Sequence, residues 1–411
     1  MSDTPIPPKG TGPLAKREAR LAWGLLAPTI ISVSLVVILP LLAIFWISVK
    51  PIGLADLRPP TLSVNEQLRD ADEAEPYIRY RVRNTSQDVA LTSARFSDVF
   101  PEGAEPGTVP EGCSYEARTL TCDLGEVEAG GRSEIRVPIV ADDPEAMEDP
   151  LEDSEPTVTV KAPNILTNFE FTGENFARVF DGGEFWQVLW VTLLYTVFGT
   201  IGALVMGLFA ALLLNKSFRR QGILRGLYLF PYVAPVIAVA FTWVTLFDPF
   251  SGSANALLLQ MGVTNEAINF FGQRPLALIM VIVFEIWRYF PLSFLFILAR
   301  MQSIDTDMYE AADMDGASPF QKFWYLSMPQ LLGILSVLFL LRFIWTFNKF
   351  DDIFLLTGGN AGTRTLTVNV YEQAFAISNI GAGAAVAVVI FACLIMFSVF
   401  FFKWISREEG L

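Results

Sequence analysis

The sequence predicts an all-α polytopic membrane protein with six transmembrane helices and an extracytoplasmic β-sandwich insert between the first helix and the other five. Three observations carry this. Of the 411 residues 52% are hydrophobic, and they gather in uninterrupted runs longer than the ~20 residues a helix needs to cross a bilayer. Charge is segregated: between Asp56 and Lys161 stand 24 acidic and 10 basic residues, the whole of the net charge of -14, while the rest of the chain carries 19 of each. Within that polar stretch the apolar residues alternate with polar ones, the period of a half-buried strand.

The spans are expected at about 22–49, 186–213, 223–247, 276–300, 331–356 and 382–404. The first run exceeds the ~7–15-residue core of a signal peptide, so it is expected to stay as a helix. Lysine and arginine set the orientation. Lys9, Lys16, Arg17 and Arg20 precede the first span, Lys216, Arg219, Arg220 and Arg225 follow the second, and Lys403 and Arg407 follow the last. The loops at 248–275 and 357–381 hold only Arg274 and Arg364. Both termini and the 301–330 loop are therefore expected in the cytoplasm and the insert outside. The domains become 1–50, a cytoplasmic tail and first helix; 51–165, the insert with an acidic linker; and 166–411, a five-helix core containing the 301–330 loop.

In the insert, YIRYRVRN, ALTSARFSDV, RTLTCDLG and SEIRVPIVA alternate, with PEGAEPG and EAGG as turns between them. Cys113 and Cys122 lie nine positions apart, a spacing two adjacent strands could bridge outside the cell. ADDPEAMEDPLEDSEP reads as a solvated linker, and 167–185 as an aromatic lead-in to the membrane. Pro231 and Pro235 are expected to kink the third span, and the glycines of NIGAGAAVAVV to let the sixth pack closely.

Two exclusions narrow the chemistry. With no histidine, histidine acid–base catalysis and most zinc sites drop out. No GxxxxGK[ST] phosphate loop occurs, so the chain is not expected to hydrolyse ATP. The acidity of the insert argues against nucleic acid as a partner.

The most telling segment is YEAADMDGASPFQKFWYLSMP at 309–329. Asp307 and Glu310 have capping-box spacing, Gly316 can end a first helix, and Ser318 with Pro319 and Gln321 can start a second. Met308 and Tyr309 stand among acidic neighbours. This run resembles the cytoplasmic loop of the permease subunits of binding-protein-dependent ABC importers, the maltose-type sugar branch in particular. The matching positions are Glu310, Ala311, Ala312, Gly316 and Pro329. The resemblance implies a type I ABC importer fold and an ATPase-coupling helix drawing on Met308, Tyr309, Glu310, Ala311, Ala312, Asp315 and Gly316. It implies as partners a second homologous permease, two copies of a cytoplasmic ATPase subunit, a periplasmic sugar-binding protein and membrane lipid. ATP and magnesium would sit on the ATPase subunits and no cofactor on this chain, in a bacterial inner membrane. RVRNTSQDVALTSARFSDVFPEG and CDLGEVEAGGRSEIRVPIV resemble immunoglobulin-like modules of bacterial surface proteins.

Charged side chains in spans cost about 2.5–3.5 kcal/mol each and should face protein or a water-filled path. In FEIWRYFPLSF, Glu285 and Arg288 are three apart and able to pair, and Pro291 frees a carbonyl. Aligning through the loop, the resemblance places Glu285, Tyr289 and Leu292, then Arg342, Trp345, Thr346 and Lys349, at sugar-contact positions. Arg288, Asn348 and Asp351 complete the candidate substrate set, and Asp352 joins Asp351 as a candidate outer-gate residue. Maltose permeases keep mostly neutral groups there, so the charges of Glu285, Arg342 and Lys349 argue against maltose itself and leave another glycoside open. An ion-pair network without ligand contact is the competing reading of Glu285, Arg288 and Arg342. Rival functions are a membrane-anchored scaffold or receptor using the β-sandwich, and an ion-coupled secondary carrier.

Overall fold

A computed structural model describes residues 12–69, 76–87, 89–100, 103–141, 155–162, 165–216 and 218–408. It divides into two compact units: 1–49 with 173–377 and 382–411, and 50–172 with 378–381.

The first unit is helical. Helices α1 (Pro13–Val33) and α2 (Leu39–Ser48) continue through a wider π-type turn, and of the 34-residue stretch Ala15–Ser48 only Ser48 is buried. After a short amphipathic helix α3 (Glu174–Asp181), whose Asn175 Nδ2 donates to Ser48 O at 2.9 Å, comes α4 (Phe185–Leu214). Then follow α5 (Gln221–Val233), α6 (Val236–Leu246), α7 (Ser253–Gln260) and α8 (Leu276–Gln302). Among the described residues the spacing of apolar runs thus reappears as five helices long and apolar enough to cross a membrane, plus the pair α5–α6 bent by 88°.

That bend is sharper than the kink the two prolines suggest. Ala234, held extended at ψ 142° by the proline that follows it, ends α5, and Pro235 opens α6 as its cap. The third apolar run is therefore two helices, not one curved one.

The fifth span is also shifted from its expected place. Helix α9 (Thr306–Met314) is followed by α10 (Pro319–Lys322), which runs through a π-type turn into α11 (Met328–Phe347). The apolar stretch covers Pro319–Phe347 rather than 331–356, because the aromatics Phe320, Phe323, Trp324 and Tyr325 carry the helix backwards. It stops at Asn348, and a separate helix α12 (Asp351–Thr357) starts with Asp351 and Asp352 in its first turn, where carboxylates favour the positive helix end. Helices α13 (Leu366–Tyr371) and α14 (Ile380–Glu408) complete the unit.

Packing centres on α4 against α8. Gly199, Ala203, Gly207 and Ala211 recur every four residues on one buried face of α4, a small-residue stripe that lets backbones approach. A Cβ on Gly207 would stand 2.7 Å from Ser293 Cβ and 2.8 Å from the Phe294 nitrogen.

The second unit holds two four-stranded sheets. One is ordered β1 (Leu62–Arg69), β2 (Tyr77–Asn84), β7 (Arg132–Ala141), β4 (Ala104–Pro106); the other β5 (Cys113–Glu116), β6 (Thr119–Val127), β3 (Leu91–Val99), β8 (Thr157–Lys161). Inward residues of both, among them Ile78, Tyr80, Val82 and Val137 from one and Leu91, Phe96, Leu120 and Cys122 from the other, form one core. Tyr80 Oη donates to Asp98 Oδ2 at 2.6 Å across it, and burial beside that carboxylate pushes the phenol well above its usual range. The disulfide joins Cys113 and Cys122, direct partners in the β5–β6 register. One expected turn is a strand: within PEGAEPG, Ala104–Pro106 pairs with the end of β7 as β4. Of the acidic linker, ADDPEAMEDPLEDSEP at 141–156, residues 142–154 lie outside the described residues.

Candidate functional site: a central polar cluster and the 301–330 loop

Helix α8 presents Glu285, Arg288, Tyr289 and Leu292 at offsets of three and four, one face of a helix. Facing it, α11 brings Arg342 and Thr346, and α4 brings Tyr195. Glu285 Oε1 accepts from Arg342 Nη2 at 2.5 Å and Thr346 Oγ1 at 2.9 Å, and its Oε2 accepts from Tyr195 Oη at 2.8 Å. Glu285 and Thr346 are wholly buried and Arg342 is 2% exposed. One carboxylate thus ties three helices together, and both its oxygens are satisfied.

Arg288 does not pair with Glu285, contrary to the i, i+3 expectation. Its Nη1 and Nη2 donate to Pro231 O and Ala234 O, each at 3.1 Å. These carbonyls lie at the α5–α6 break, where the helical ladder is interrupted and acceptors are left over. Arg288 therefore caps the broken span, and Nε lies 4.0 Å from Asp352.

The outer part of the cluster surrounds the Tyr289 ring. Lys349 Nζ stands 4.2 Å and the Arg342 guanidinium carbon 4.6 Å from its centroid, within cation–π range. Lys349 also donates to Tyr289 Oη at 2.5 Å and lies 3.8 Å from carboxylate oxygens of Asp351 and Asp352. Asp352 is wholly buried, and neither carboxylate oxygen has a hydrogen-bond donor. The cluster holds three acids (Glu285, Asp351, Asp352) and three bases (Arg288, Arg342, Lys349), so it is formally neutral.

The other candidates stand apart. Trp345 is 51% exposed, Asn348 is exposed with its amide on Ile344 O at 3.0 Å, and Leu292 is half-buried. Tyr195 had no sequence signal beyond being a lone phenol in an apolar run.

In the 301–330 loop the cap is Asp305, which accepts from Asp307 N at 3.1 Å, not Asp307. Both carboxylates precede an apolar-periodic turn, and the backbone starts the helix two residues earlier. At the other end Gly316, with φ +76°, donates to Asp313 O, and Ala317 donates to Ala312 O, a Schellman ending. Ser318 and Gln321 form the reciprocal capping box. Tyr309 Oη and Ser327 Oγ share a hydrogen bond of 2.9 Å, Lys322 Nζ reaches Asp313 at 2.5 Å, and Arg300 donates to Gln330 O at 3.1 Å. Tyr309 thereby fastens α9 to the turn that opens α11, Lys322 ties α10 back to α9, and Arg300 ties α8 to α11. Glu310, Ala311, Asp315 and Gly316 are exposed, Tyr309 and Ala312 half-buried. Met308, Met314, Phe320 and Tyr325 present apolar surface (37, 89, 72 and 78% exposed) beside them.

Residues 203–409 match the family described as the binding-protein-dependent transport system inner membrane component. The eight strands, between Leu62 and Lys161, lie outside that segment. The chain is 36% identical over 244 residues to the inner membrane ABC transporter permease protein YcjO of Escherichia coli, covering 58% of this chain and 79% of that one. It is 31% identical over 230 residues to the trehalose/maltose transport system permease protein MalF of Thermococcus litoralis, covering 56% and 77%. Among solved structures it resembles a bacterial alginate ABC transporter in complex with alginate pentasaccharide-bound periplasmic protein, at TM-score 0.54 and 20% identity over 58% of this chain and 83% of that one. That likeness establishes a common helical fold.

Proposed function

The chain belongs to the family of inner membrane components of binding-protein-dependent transport systems, and on that premise we propose that it passes a sugar, a di- or oligosaccharide or a glycoside, across the inner membrane. It pairs with a second permease, two ATPase subunits and a periplasmic binding protein. ATP and magnesium bind the ATPase subunits, and this chain transmits their closure. The termini and the 301–330 loop face the cytoplasm, the immunoglobulin-like insert faces the periplasm, and the α5–α6 pair makes the sixth crossing.

The observation that carries the reading is the doubly capped α9–α10 corner. It combines exposed Glu310 and Gly316, an apolar rim and a fastening of α9 to the turn that opens α11, a helix that Arg300 in turn ties to α8. A flexible loop would absorb a push; a capped helix pinned to the base of a span conveys it. The spans then tilt and open a central path alternately to each side. Trp345 and Asn348 are the candidates that reach out of the helix packing, so they line that path and meet the sugar, the indole face against its apolar side. Glu285 and Arg342, which set this chain apart from maltose permeases, are paired to one another and give no preference for a charged solute.

The test is reconstitution of the complex in lipid discs with its binding protein. Binding-protein-stimulated ATPase activity should fall to its basal rate with Glu310→Lys and with Gly316→Pro, since proline cannot adopt φ +76°. Full stimulation in both variants would refute the coupling role.

A further inference from the structure

An apolar groove runs between α4, α11 and α14. Ile201, Val205 and Leu208 line it from the first, Met328 and Phe339 from the second and Phe401 from the third, with Ser336 the one hydroxyl among the described lining residues. The Phe339 and Phe401 rings stack with centroids 6.0 Å apart. Ile201 and Val205 are each 45% exposed, so the α4 side of the groove stands open.

Its size selects the occupant. Met328 and Phe339 are eleven residues apart on α11, about 16 Å along the helix axis, which matches one leaflet of a hydrocarbon core ~30 Å thick. The groove holds about 400 Å³, and spread along that length it is roughly 5–6 Å wide. Carbon atoms in contact lie ~4 Å apart, so a hydrocarbon chain in single file fits. A membrane-spanning helix, ~10–12 Å across with its side chains, does not.

Its mouth selects the headgroup. Met328 opens α11 and Leu208 lies two turns before the end of α4, so the groove occupies the half of the membrane next to the 301–330 loop. From Leu214 to Phe247 the sequence has four basic residues, Lys216, Arg219, Arg220 and Arg225, and no acid. Arg225 Nη2 and Gln221 Nε2 donate to Leu214 O at 2.9 and 2.6 Å, which folds this connection back onto the end of α4. Lys216, Arg219 and Arg220 remain exposed. Lys216 follows Val205 by eleven residues, about three helical turns, and so leaves α4 on the groove side. The other two helices offer no such excess. The end of α14 sets Lys403 and Arg407 against Glu408 and Glu409, and Lys322, just before α11, is paired with Asp313. Asp305, Asp307, Glu310, Asp313 and Asp315 belong to α9 and its ends, which contribute no lining residue.

We propose that the groove binds one acyl chain of an anionic phospholipid, its phosphate held at Lys216 and Arg219. Inside the groove the chain touches three helices at once, where an ordinary boundary lipid lies against one surface. Basic residues just beyond a span attract such headgroups. The site itself needs only the membrane setting of the family; its assignment to the cytoplasmic leaflet rests on the orientation proposed above.

The test uses the whole complex, released in mild detergent and titrated with phosphatidylglycerol or phosphatidylethanolamine of equal chains, with bound lipid counted by native mass spectrometry. The parent should retain one more phosphatidylglycerol per copy of this chain than Val205→Phe/Ser336→Phe, whose larger side chains fill the groove. Lys216→Glu/Arg219→Glu should weaken that lipid about tenfold and leave phosphatidylethanolamine binding as it was. Equal lipid counts in parent and filled variant, or equal binding of the two lipids by the parent, would overturn the proposal. Should the filled variant not assemble, phosphatidylglycerol with a photoreactive group in its chain decides the matter on the parent in lipid discs. Label concentrated on 201–208 and 328–339 supports the groove, and label spread evenly onto the first helix at 22–38 contradicts it. Efficient cross-linking of Ser336→Cys to the second permease would also contradict it, giving the groove to a protein. None of these readouts involves nucleotide or sugar, so their failure leaves the importer reading intact.

Discussion

Charge is used in opposite ways in the two units. In the helical unit Glu285, Arg342, Thr346 and Tyr195 close on one another away from solvent, and Arg288 turns its donors onto the carbonyls of a broken helix. In the β unit, arginines stand opposite arginines on an exposed sheet face. The difference teaches how to read an ionisable group. A buried one with its hydrogen bonds satisfied fixes geometry, whereas an exposed, like-charged array fixes nothing inside the fold and works against it.

The sharpest way to break the comparison is to remove one buried partner. Glu285→Leu leaves the Arg342 guanidinium buried and unpaired, which should destabilise the helical unit by about 3–5 kcal/mol; thermal unfolding in detergent measures it. The double variant Glu285→Leu/Arg342→Met should recover most of that loss, and a double variant no more stable than the single one would show that the pair is not the cause. Next in size is Arg288→Leu. Freeing the Pro231 and Ala234 carbonyls should cost about 1–3 kcal/mol and loosen the α5–α6 break, raising proteolysis and hydrogen exchange around 231–236 first. Uniform exchange across the helices would contradict the capping role. Smaller still is Tyr309→Phe, which removes the hydrogen bond to Ser327 and should lower stability by about 1 kcal/mol while blunting ATPase stimulation.

The smallest effect belongs to the surface of the β unit. Asp123, bonded to Arg95, and Glu134, bonded to Arg136, both have carboxyl pKa values held below the usual range. A depressed folded pKa means the contribution is present above the unfolded value and is lost as pH falls through the folded one. Unfolding of the β unit should therefore ease slightly below about pH 4, and Arg95→Gln should remove part of that acid response. A pH profile unchanged by Arg95→Gln would separate the carboxylate from its partner.

Legibility followed the range of the interaction. Ser318 with Gln321, Gly316 and the alternating strands β2, β3, β6 and β7 declare themselves within a few residues, so the loop's second cap, its bend and half the sandwich were readable. Between Asp305 and Asp307 the choice of cap depends on where the backbone turns, and both residues suit it. Glu285 pairs with Arg342, 57 positions away, and local spacing offered Arg288 instead. The prolines signalled disturbance near 231–235, but the partner of the carbonyls at the 88° break, Arg288, lies 54 and 57 positions away. Short strands such as β4 and β5 carry too few residues for alternation to show.

The most direct test of the account is cross-linking at the loop. In a Cys393→Ser background, Met308→Cys and Met314→Cys should each cross-link to a cysteine on the ATPase subunit, with yields that change on nucleotide binding. Val263→Cys, in the loop expected on the opposite side, should not. Cross-links from Val263 and none from Met308 or Met314 would contradict both the orientation and the coupling role.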